Sequence, residues 1–418
     1  MRILVINQSD LSGGAAIAAS RLCKGLEQLY GDVETFFSVG LKLSSDPNVF
    51  CTRKNFVEQY VEMLVNRVTS MLGLQYFWFP FSTTRILRQV RKVKPHIIYL
   101  RNIHGGYFKT SLLKNLSSFA PIVWTLSDMW SFTGHCAHSF GDMSWNRLES
   151  GCPDRKIYPA IGINTGKWLL RRKRHIYQQT NITIVTPSRW LYRLAKQTPV
   201  FKGKEILQIY NGFDLKLFKP KNKHACRADL GIPASAKVLM FSADRLKKNS
   251  FKGGQDLIEI LASIDKKTSE TIHLLIAGQQ SPSRLPSFRK LFVHHLGYVE
   301  NEEVMTKCYS ASDLLIYPTR ADNLPNILIE AISCGTPCVT FGVGGCGEII
   351  QNRVNGFVVT PFDIDKFASF TVDALGSNEA LKTMSQNARK IAEEKFTLEK
   401  MCHNYYRLFS RLAAGGCV

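Results

Sequence analysis

The sequence predicts an α/β protein with two domains, each built on a parallel sheet. Its 418 residues exceed what one hydrophobic core normally supports, and 45% of them are hydrophobic. Short apolar runs alternate with longer amphipathic stretches in both halves, which is typical of strand–helix–strand units with parallel strands. The breakers Asn211-Gly212 and Pro220 separate the two series. We therefore expect a first domain, a second domain and a terminal helical segment, at 1–205, 206–384 and 385–418.

The net charge of +21 is unevenly distributed along the chain. Residues 1–200 hold 26 Lys and Arg against 11 Asp and Glu, which is +15 of the total. Such a field would suit nucleic acid, an anionic membrane face or a phosphorylated substrate, and composition alone does not choose among them. No apolar run reaches the roughly 20 residues of a membrane-spanning helix, and no signal-peptide pattern follows Met1. The 11 scattered cysteines favour reduced thiols in a cytosol.

The first strand is predicted at Arg2–Asn7, before a loop that contains Gly13 and Gly14 and an amphipathic helix to about Leu29. The loop lacks the complete G-x-G-x-x-G spacing of a dinucleotide-binding fingerprint, so it is only a weak signal for one. A glycine loop that faces a ligand and a simple tight turn are equally compatible with this pattern.

Residues 61–81 are apolar and aromatic but interrupted by charged side chains. They are too polar to span a membrane, and they fit a helix that lies in a membrane interface. Two basic clusters follow, at 85–94 and 167–175. Either could hold the protein reversibly on an anionic leaflet, at roughly 1 kcal/mol per basic residue. The alternative for each cluster is a solvated helix face.

Two further strands of the first half end in polar residues. A strand ending at Leu100 leads to His104, and a strand at Ile122–Leu126 leads to Ser127 and Asp128. Ligands of open parallel sheets gather at the carboxyl ends of the strands, so these side chains are placed for chemistry. A purely structural histidine is the alternative for His104.

The second half is centred on a predicted strand at 314–317 and a buried helix that Pro325 begins and Gly335 ends. Glu330 lies in the middle of this apolar helix, where a carboxylate is costly unless something binds it. Asp322 lies just ahead of the helix, whose free N–H groups attract anions. Two carboxylates thus flank an anion-binding helix start. A salt bridge for Glu330 and a helix cap for Asp322 are the alternatives.

Three motifs are similar to metal or cofactor sites, but the residues around each of them favour another interpretation. They are a zinc-like set at His135, Cys136, His138 and Cys152, a G-x-G-x-x-G match at 342–347, and Asp363-Ile-Asp365. The zinc-like set has no common ligand spacing. The helix after the glycines is too short for a dinucleotide-binding unit. The acidic pair precedes a helix, where capping is the simpler expectation.

The spacing of Asp322 and Glu330, with Gly-Thr-Pro and Gly-Gly turns after them, resembles the paired-acid motif of family 4 retaining glycosyltransferases. Further likenesses are the linker at 211–214, Lys252-Gly253, and the run at 127–130, which is similar to exopolysaccharide enzymes of the colanic-acid type. The family usually has Glu as its first acid and often has His in place of Ser at position 127. The resemblance implies the GT-B architecture, with two Rossmann-like doubly wound parallel-sheet domains facing a cleft and a last helix crossing back to the first domain.

The resemblance also implies roles for individual residues. Catalytic roles fall on Asp322, His104 and Asp128. Donor-binding roles fall on Arg245, Lys252, Tyr298, Asn323, Leu324, Pro325 and Glu330. The loop facing the acceptor would comprise Gly13, Gly14 and Ser127. Glu330 would hold the ribose hydroxyls and Asp322 the hydroxyls of the donor sugar. Arg245 lies farther from Lys252 than in the commonest family spacing, so Lys247 or Lys248 could take its place.

The resemblance implies a hexosyltransferase that moves a sugar from a UDP- or GDP-sugar to a glycan acceptor with retention at the anomeric carbon, without a metal ion or cofactor. A polyprenyl-diphosphate-linked acceptor, bacterial surface polysaccharide synthesis and a peripheral place on the cytoplasmic face of the plasma membrane are expected with it. Nucleic acid is not an expected partner. The competing interpretations are a nucleotide-sugar epimerase on the same fold and a non-catalytic basic protein that binds membrane or nucleic acid.

Overall fold

A computed structural model of the chain describes residues 1–242, 250–278 and 286–415. The chain divides into two compact units. Unit 1 comprises Met1–Gly212 together with the segment that begins at Leu398, and unit 2 comprises Phe213–Thr397. The division lies after Gly212 rather than after residue 205, because the strand at Ile206–Gln208 pairs with the sheet of unit 1.

Unit 1 is built on a seven-stranded sheet whose neighbouring strands all pair in parallel. Its strands in chain order are β1 (Arg2–Ser9), β2 (Glu34–Leu41), β3 (Val49–Cys51), β4 (Ile97–Leu100), β5 (Ile122–Thr125), β6 (Ile182–Thr186) and β7 (Ile206–Gln208). The order across the sheet is β3-β2-β1-β4-β5-β6-β7. The order reverses between β1 and β4, which is where open sheets of this kind bind ligands.

Helices cover both faces of this sheet. Those of the first 212 residues are α1 (Gly14–Leu29), α2 (Phe56–Met71), α3 (Pro80–Val93), α4 (Leu112–Leu116), α5 (Gly166–Gln178) and α6 (Arg189–Gln197). Alternate residues of β1 face two separate cores, because successive side chains of a strand point to opposite faces. Leu4 and Ile6 pack into one core, and Ile3 and Val5 pack into the other.

The terminal segment, predicted as one helix from residue 385, consists of two. They are α13 (Asn378–Lys395) in unit 2 and α14 (Leu398–Gly415) in unit 1. The break falls at Phe396, which is fully buried and whose carbonyl accepts a hydrogen bond from the Phe213 N–H at 2.8 Å. Only α14 therefore joins unit 1. It packs so closely on α1 that a Cβ at Gly25 would lie 2.6 Å from Cys402 Sγ.

Unit 2 has a six-stranded sheet, again with all neighbours parallel. Its strands are β8 (Lys237–Ser242), β9 (Ile272–Ala277), β10 (Leu291–Gly297), β11 (Leu314–Tyr317), β12 (Cys338–Phe341) and β13 (Gly356–Val359). Besides α13, its helices are α7 (Lys223–Asp229), α8 (Gly254–Lys267), α9 (Glu302–Ala311), α10 (Asn326–Ser333), α11 (Cys346–Ile349) and α12 (Ile364–Gly376). The order β10-β9-β8-β11-β12-β13 reverses between β8 and β11.

The predicted class, two α/β domains with doubly wound parallel sheets, is confirmed. The helix α11 begins within the glycine run at 342–347 and has only four residues. Asp363 caps α12 by accepting from the Lys366 N–H at 3.0 Å. No helix in the described part of the chain is long and apolar enough to cross a membrane. The expectation of reduced thiols fails for Cys136 and Cys152, which lie close enough across a loop to form a disulfide.

Candidate active site

Three side chains meet at the reversal point of the unit 2 sheet. Lys252 lies in the connection after β8, Tyr317 is the last residue of β11, and Asp322 follows in the loop after it. The Lys252 ammonium donates to Asp322 Oδ2 at 2.7 Å and to the Tyr317 hydroxyl at 2.9 Å, and that hydroxyl donates to the same carboxylate oxygen at 2.8 Å. Two residues predicted from separate motifs are therefore brought together, with a tyrosine that the sequence analysis missed.

The protonation of this cluster follows from its charges. Burial opposes the ammonium of Lys252, but the charge of Asp322 and the hydrogen bonds to Asp322 and Tyr317 together outweigh burial and raise the pKa of Lys252 above its usual value. Burial and the same carboxylate raise the pKa of the Tyr317 hydroxyl. Lys252 is thus a cation and Tyr317 a neutral donor at neutral pH. An ammonium has three N–H groups, and two of them bind Asp322 and Tyr317. Within the described part of the chain the third has no acceptor.

Backbone contacts hold the two loops of this cluster against each other. The Phe251 carbonyl accepts from the Arg320 N–H at 2.8 Å and from the Thr319 hydroxyl at 3.0 Å. The Arg320 guanidinium makes a bidentate pair with the buried Asp256 of α8, at 2.6 and 2.7 Å. Bidentate pairs of this kind fix geometry as well as charge. The Lys252 loop is therefore positioned by groups outside the cluster itself.

Two glycines allow this close approach. Gly253 has φ +66° and packs so that a Cβ would lie 1.8 Å from the Pro318 carbonyl oxygen. Gly344 has φ +54° and leaves only 1.6 Å between an added Cβ and the carbonyl oxygen of Asp322. Glycine is required at both positions because of the backbone conformation and because of the contact.

Glu330 lies on α10, where it is half-buried. The hydroxyl of the fully buried Tyr309 donates to its Oε2 at 3.0 Å. The alternative of a helix-capping role for Asp322 is wrong, because Pro325 occupies the cap position of α10 and the Asp322 carboxylate binds Lys252 and Tyr317 instead.

The remaining predicted donor residues are placed as follows. Asn323, Leu324 and Pro325 are buried in the segment that leads into α10. Tyr298 comes directly after β10 and is 53% exposed. Arg245, Lys247 and Lys248 lie outside the described residues.

In unit 1, His104 and Asp128 follow β4 and β5 and lie together, as expected for strand ends of one sheet edge. His104 Nε2 is 2.7 Å from Asp128 Oδ2, and Asp128 Oδ1 accepts from the Trp130 N–H at 2.9 Å. His104 is 5% exposed, and its Nδ1 is buried with no hydrogen-bond partner among the described residues. Both residues line a small cavity with Ser127. The carboxylate therefore orients the imidazole, whose second nitrogen is enclosed by the protein beside this cavity.

Lys173 is a residue whose place the sequence analysis misjudged. It was included in the basic cluster at 167–175, but it is 4% exposed and points into unit 1. Its ammonium donates to the carbonyls of Trp130, Thr133 and Gly134 and lies 3.9 Å from the centre of the Trp130 ring. Burial lowers the pKa of Lys173 well below its usual value. Lys173 thus holds the loop that carries Asp128. The signal was present in the sequence, because Leu169, Leu170, Ile176 and Tyr177 share its helix face and are buried.

The acceptor-loop residues and the zinc-like set can also be placed. Gly13 is the cap residue before α1, with φ +90° and open space where a Cβ would lie, and Gly14 is the first residue of that helix. Among the described residues no three His, Cys, Asp or Glu side chains are grouped as metal ligands. His138 instead stacks on Trp190 with the ring centres 5.7 Å apart.

Comparison with known proteins finds a family match within the second half of the chain. Residues 236–377 match the family described as Glycosyl transferases group 1, a span that includes Lys252, Asp322 and Glu330. The chain is 24% identical to N-acetyl-alpha-D-glucosaminyl L-malate synthase of Bacillus anthracis, over 50% of this chain and about half (54%) of that protein. It is 25% identical to an Escherichia coli K12 protein named as the colanic acid biosynthesis glycosyl transferase WcaC, over 76% of this chain and 78% of that protein.

Solved structures share the fold over the whole chain. Sucrose-phosphate synthase of Thermosynechococcus elongatus aligns with a TM-score of 0.72 at 16% identity, covering 99% of both chains. HepE of Anabaena, solved in complex with UDP-glucose, aligns with a TM-score of 0.67 at 17% identity, covering 99% of this chain and 100% of that one. The chain therefore has the GT-B fold, and its second unit carries the match to the glycosyl transferases group 1 family over residues 236–377.

Proposed function

We propose that the chain transfers a hexose from a UDP- or GDP-sugar to a glycan acceptor, with retention at the anomeric carbon. The observation that carries the proposal is the meeting of Lys252, Tyr317 and Asp322 at the reversal point of the unit 2 sheet. The group 1 match spans this cluster. The UDP-glucose held by the Anabaena neighbour supports a nucleotide sugar as the donor.

The cluster suits a diphosphate leaving group. Breaking the glycosidic bond leaves the nucleoside diphosphate with more negative charge, which fixed positive groups stabilise. Lys252 is held as a cation with one N–H still available, and the start of α10 adds backbone N–H groups and a positive dipole end. In the proposed reaction these groups would supply the positive charge, and no metal ion would be needed.

The carboxylates of Glu330 and Asp322 would bind different parts of the donor. Glu330, fixed by the Tyr309 hydroxyl, would accept hydrogen bonds from the ribose hydroxyls. Asp322 would exchange its contact with Lys252 for the donor sugar's hydroxyls once the diphosphate engages the ammonium. The same carboxylate therefore keeps Lys252 charged before the donor arrives.

The acceptor part of the proposal concerns unit 1. His104, oriented by Asp128, would assist the acceptor hydroxyl, with Gly13, Gly14 and Ser127 facing the acceptor. The departing phosphate can itself take the proton of that hydroxyl, so His104 need not be the final base. A lipid-linked glycan of a bacterial surface polysaccharide is the proposed acceptor, and the likeness to the colanic acid protein supports it. The cytoplasmic membrane face is the proposed location.

Thermal-shift binding tests the donor site first. Wild type, Glu330→Gln and the matched control Glu379→Gln, an exposed glutamate of unit 2, would be melted with UDP, GDP, ADP and their sugars. We expect one nucleotide family near 100 times its dissociation constant to raise the Tm of wild type and control by roughly 5 °C or more. Glu330→Gln should lose most of this shift, because the ribose hydroxyls lose their charged acceptor.

Three outcomes contradict the proposal in different ways. Absence of stabilisation by every nucleotide would point to a non-catalytic basic protein. Turnover of the donor sugar without any acceptor would indicate an epimerase. A Lys252→Met variant that keeps its kcat/KM would remove Lys252 from the reaction, since losing such a stabiliser should cost roughly 100- to 1000-fold.

A further inference from the structure

Helix α2 buries a polar side chain and exposes its large apolar ones, which is the reverse of the usual arrangement. Among its residues, all of which the structure describes, Glu62 alone is buried. The Glu62 carboxylate accepts from Arg53 Nε at 2.9 Å and from the Ser82 N–H at 2.8 Å. A surface helix normally turns its apolar stripe toward the core. This helix is attached to unit 1 through the polar side chains Glu58 and Glu62, each of which is bonded to an arginine.

The outward face of α2 is a row of large apolar side chains. Phe56, Tyr60, Leu64, Val68 and Met71 follow one another at the three- and four-residue spacing of a single helix face. Their exposed fractions lie between 49% for Val68 and 75% for Phe56. Such a contiguous exposed row marks an interaction surface.

The apolar surface continues onto α5. The Gly162 N–H donates to the Ser70 carbonyl at 2.9 Å, which brings the segment before α5 against the end of α2. The Arg172 guanidinium lies over the Phe77 ring at 4.6 Å and over the Trp168 ring at 5.6 Å. Both rings are about half exposed. The outward face of α2 together with Phe77 and Trp168 is called the docking face below.

The charges around the docking face are basic. Arg67 projects between the apolar side chains of α2, and Lys167 and Arg171 are exposed on α5. The acidic residues of α2 that could oppose them, Glu58 and Glu62, are bonded to arginines of unit 1 instead. An anionic partner would therefore meet no opposing carboxylate from this helix.

We propose that the docking face inserts into the interface of an anionic lipid bilayer. Apolar side chains would enter the boundary of headgroups and acyl chains, while Arg67, Lys167 and Arg171 would meet the lipid phosphates. A half-exposed tryptophan and the apolar stems of arginines suit that layer, because such side chains have one apolar end and one end that contacts water. The proposal locates membrane contact on α2 and the start of α5. Within the two basic clusters expected from the sequence, Arg85 is paired with Glu58 and Lys173 is buried.

Vesicle flotation of the full chain without nucleotide tests this. The vesicles would be phosphatidylcholine, alone or with about a third phosphatidylglycerol. Wild type should float with the anionic vesicles, and the Leu64→Glu/Met71→Glu double variant should bind them at least about tenfold more weakly, because two carboxylates would enter the apolar layer. Leu43→Glu, at a residue of unit 1 that is 53% exposed outside the docking face, is the matched control and should bind as wild type does.

Two results would overturn the proposal. One is equal vesicle binding by wild type and by a double variant whose circular dichroism and melting match wild type. The other is a wild-type dimer in lipid-free solution that the double variant converts to a monomer, with no flotation of wild type, which would assign the docking face to a second copy of the chain. Because no nucleotide is present, neither result bears on the donor site.

Discussion

A substitution of His104 can distinguish a role in the transfer reaction from a role in donor binding. Its Nε2 is held by Asp128 and its Nδ1 is buried, within unit 1. We expect His104→Ala to lower the transfer rate by roughly 100-fold or more, the usual contribution of a positioned acid or base. The Tm shift produced by the nucleotide should stay unchanged, since Lys252 and Glu330 lie in unit 2. Initial rates and thermal shifts on the same variant decide it, and an unaltered rate would make His104 structural.

His135 predicts how the stability of unit 1 depends on pH. It is 1% exposed, and burial together with the charge of Lys173 lowers its pKa from 6.5 to about 4. Between pH 6.5 and about 4 the unfolded chain therefore takes up a proton that the folded chain refuses, so stability falls as pH falls. The loss attributable to His135 should be about 3 kcal/mol between pH 7 and pH 4. Denaturant titrations of wild type and His135→Gln at both pH values measure it. An equal loss of unfolding free energy in wild type and His135→Gln would contradict this prediction.

The residues of the candidate site were predictable to different extents. Asp322 follows from the sequence pattern, since it stands just ahead of a buried helix, whereas Lys252 came only from the family resemblance. Tyr317 was missed because a tyrosine that ends an apolar strand has the pattern of a core residue, and only the fold brings its hydroxyl to the carboxylate. Lys173 was misjudged because its neighbours in sequence are basic, whereas burial depends on its position around the helix.

At the scale of elements, the turn after β12 sets the position of the Asp322 loop. An added Cβ at Gly344 would overlap the Asp322 carbonyl, whereas one at Gly347 meets nothing within 4 Å. We expect Gly344→Ala to lower stability by about 1–3 kcal/mol and to weaken nucleotide binding, since the loop must move. Gly347→Ala is the matched control and should resemble wild type. Equal melting temperatures and equal nucleotide shifts in the two variants would show that the loop is not constrained there.

Helices and strands could be predicted from the sequence where neighbouring residues alone carry a strong pattern. The strands β1, β4, β5 and β11 were predicted from apolar runs, and the cap of α12 from Asp363. The break between α13 and α14 was missed, because Phe396 carries no helix-breaking signal and its carbonyl is taken by the distant Phe213. For residues 61–81 the sequence offered an interfacial helix as one interpretation. The apolar spacing is the same whether that face points inward or outward, so only the structure shows that the large apolar side chains of α2 point outward.

At the scale of the molecule, the two units should differ in their ability to fold alone. Unit 2 is one continuous stretch, Phe213–Thr397, whereas unit 1 needs α14 from the far end of the chain. Residues 1–212 alone would lose the buried Cys402, Tyr405 and Phe409 from their core. At about 1.5–3 kcal/mol for each large apolar side chain, this loss approaches the whole stability of a domain.

We therefore expect residues 213–397 to be folded and to bind the nucleotide, and residues 1–212 to unfold or aggregate. Circular dichroism and cooperative melting of the two fragments measure this. A cooperative transition in residues 1–212 like that of the full chain would mean that α14 contributes little. The sequence predicted two domains from length and strand–helix alternation, but the return of α14 to the first sheet came only from the family resemblance.

The contact at Gly253 has a consequence for how this chain can evolve. Its neighbour is the backbone carbonyl of Pro318, which no side-chain exchange can move away. A lineage that acquired a different donor sugar could alter the side chains that touch the sugar, but it would have to keep this glycine. Relatives with a different donor sugar should therefore differ at the residues around Gly253 and keep glycine at this position. A saturation library at position 253, screened for folded protein, should return glycine alone.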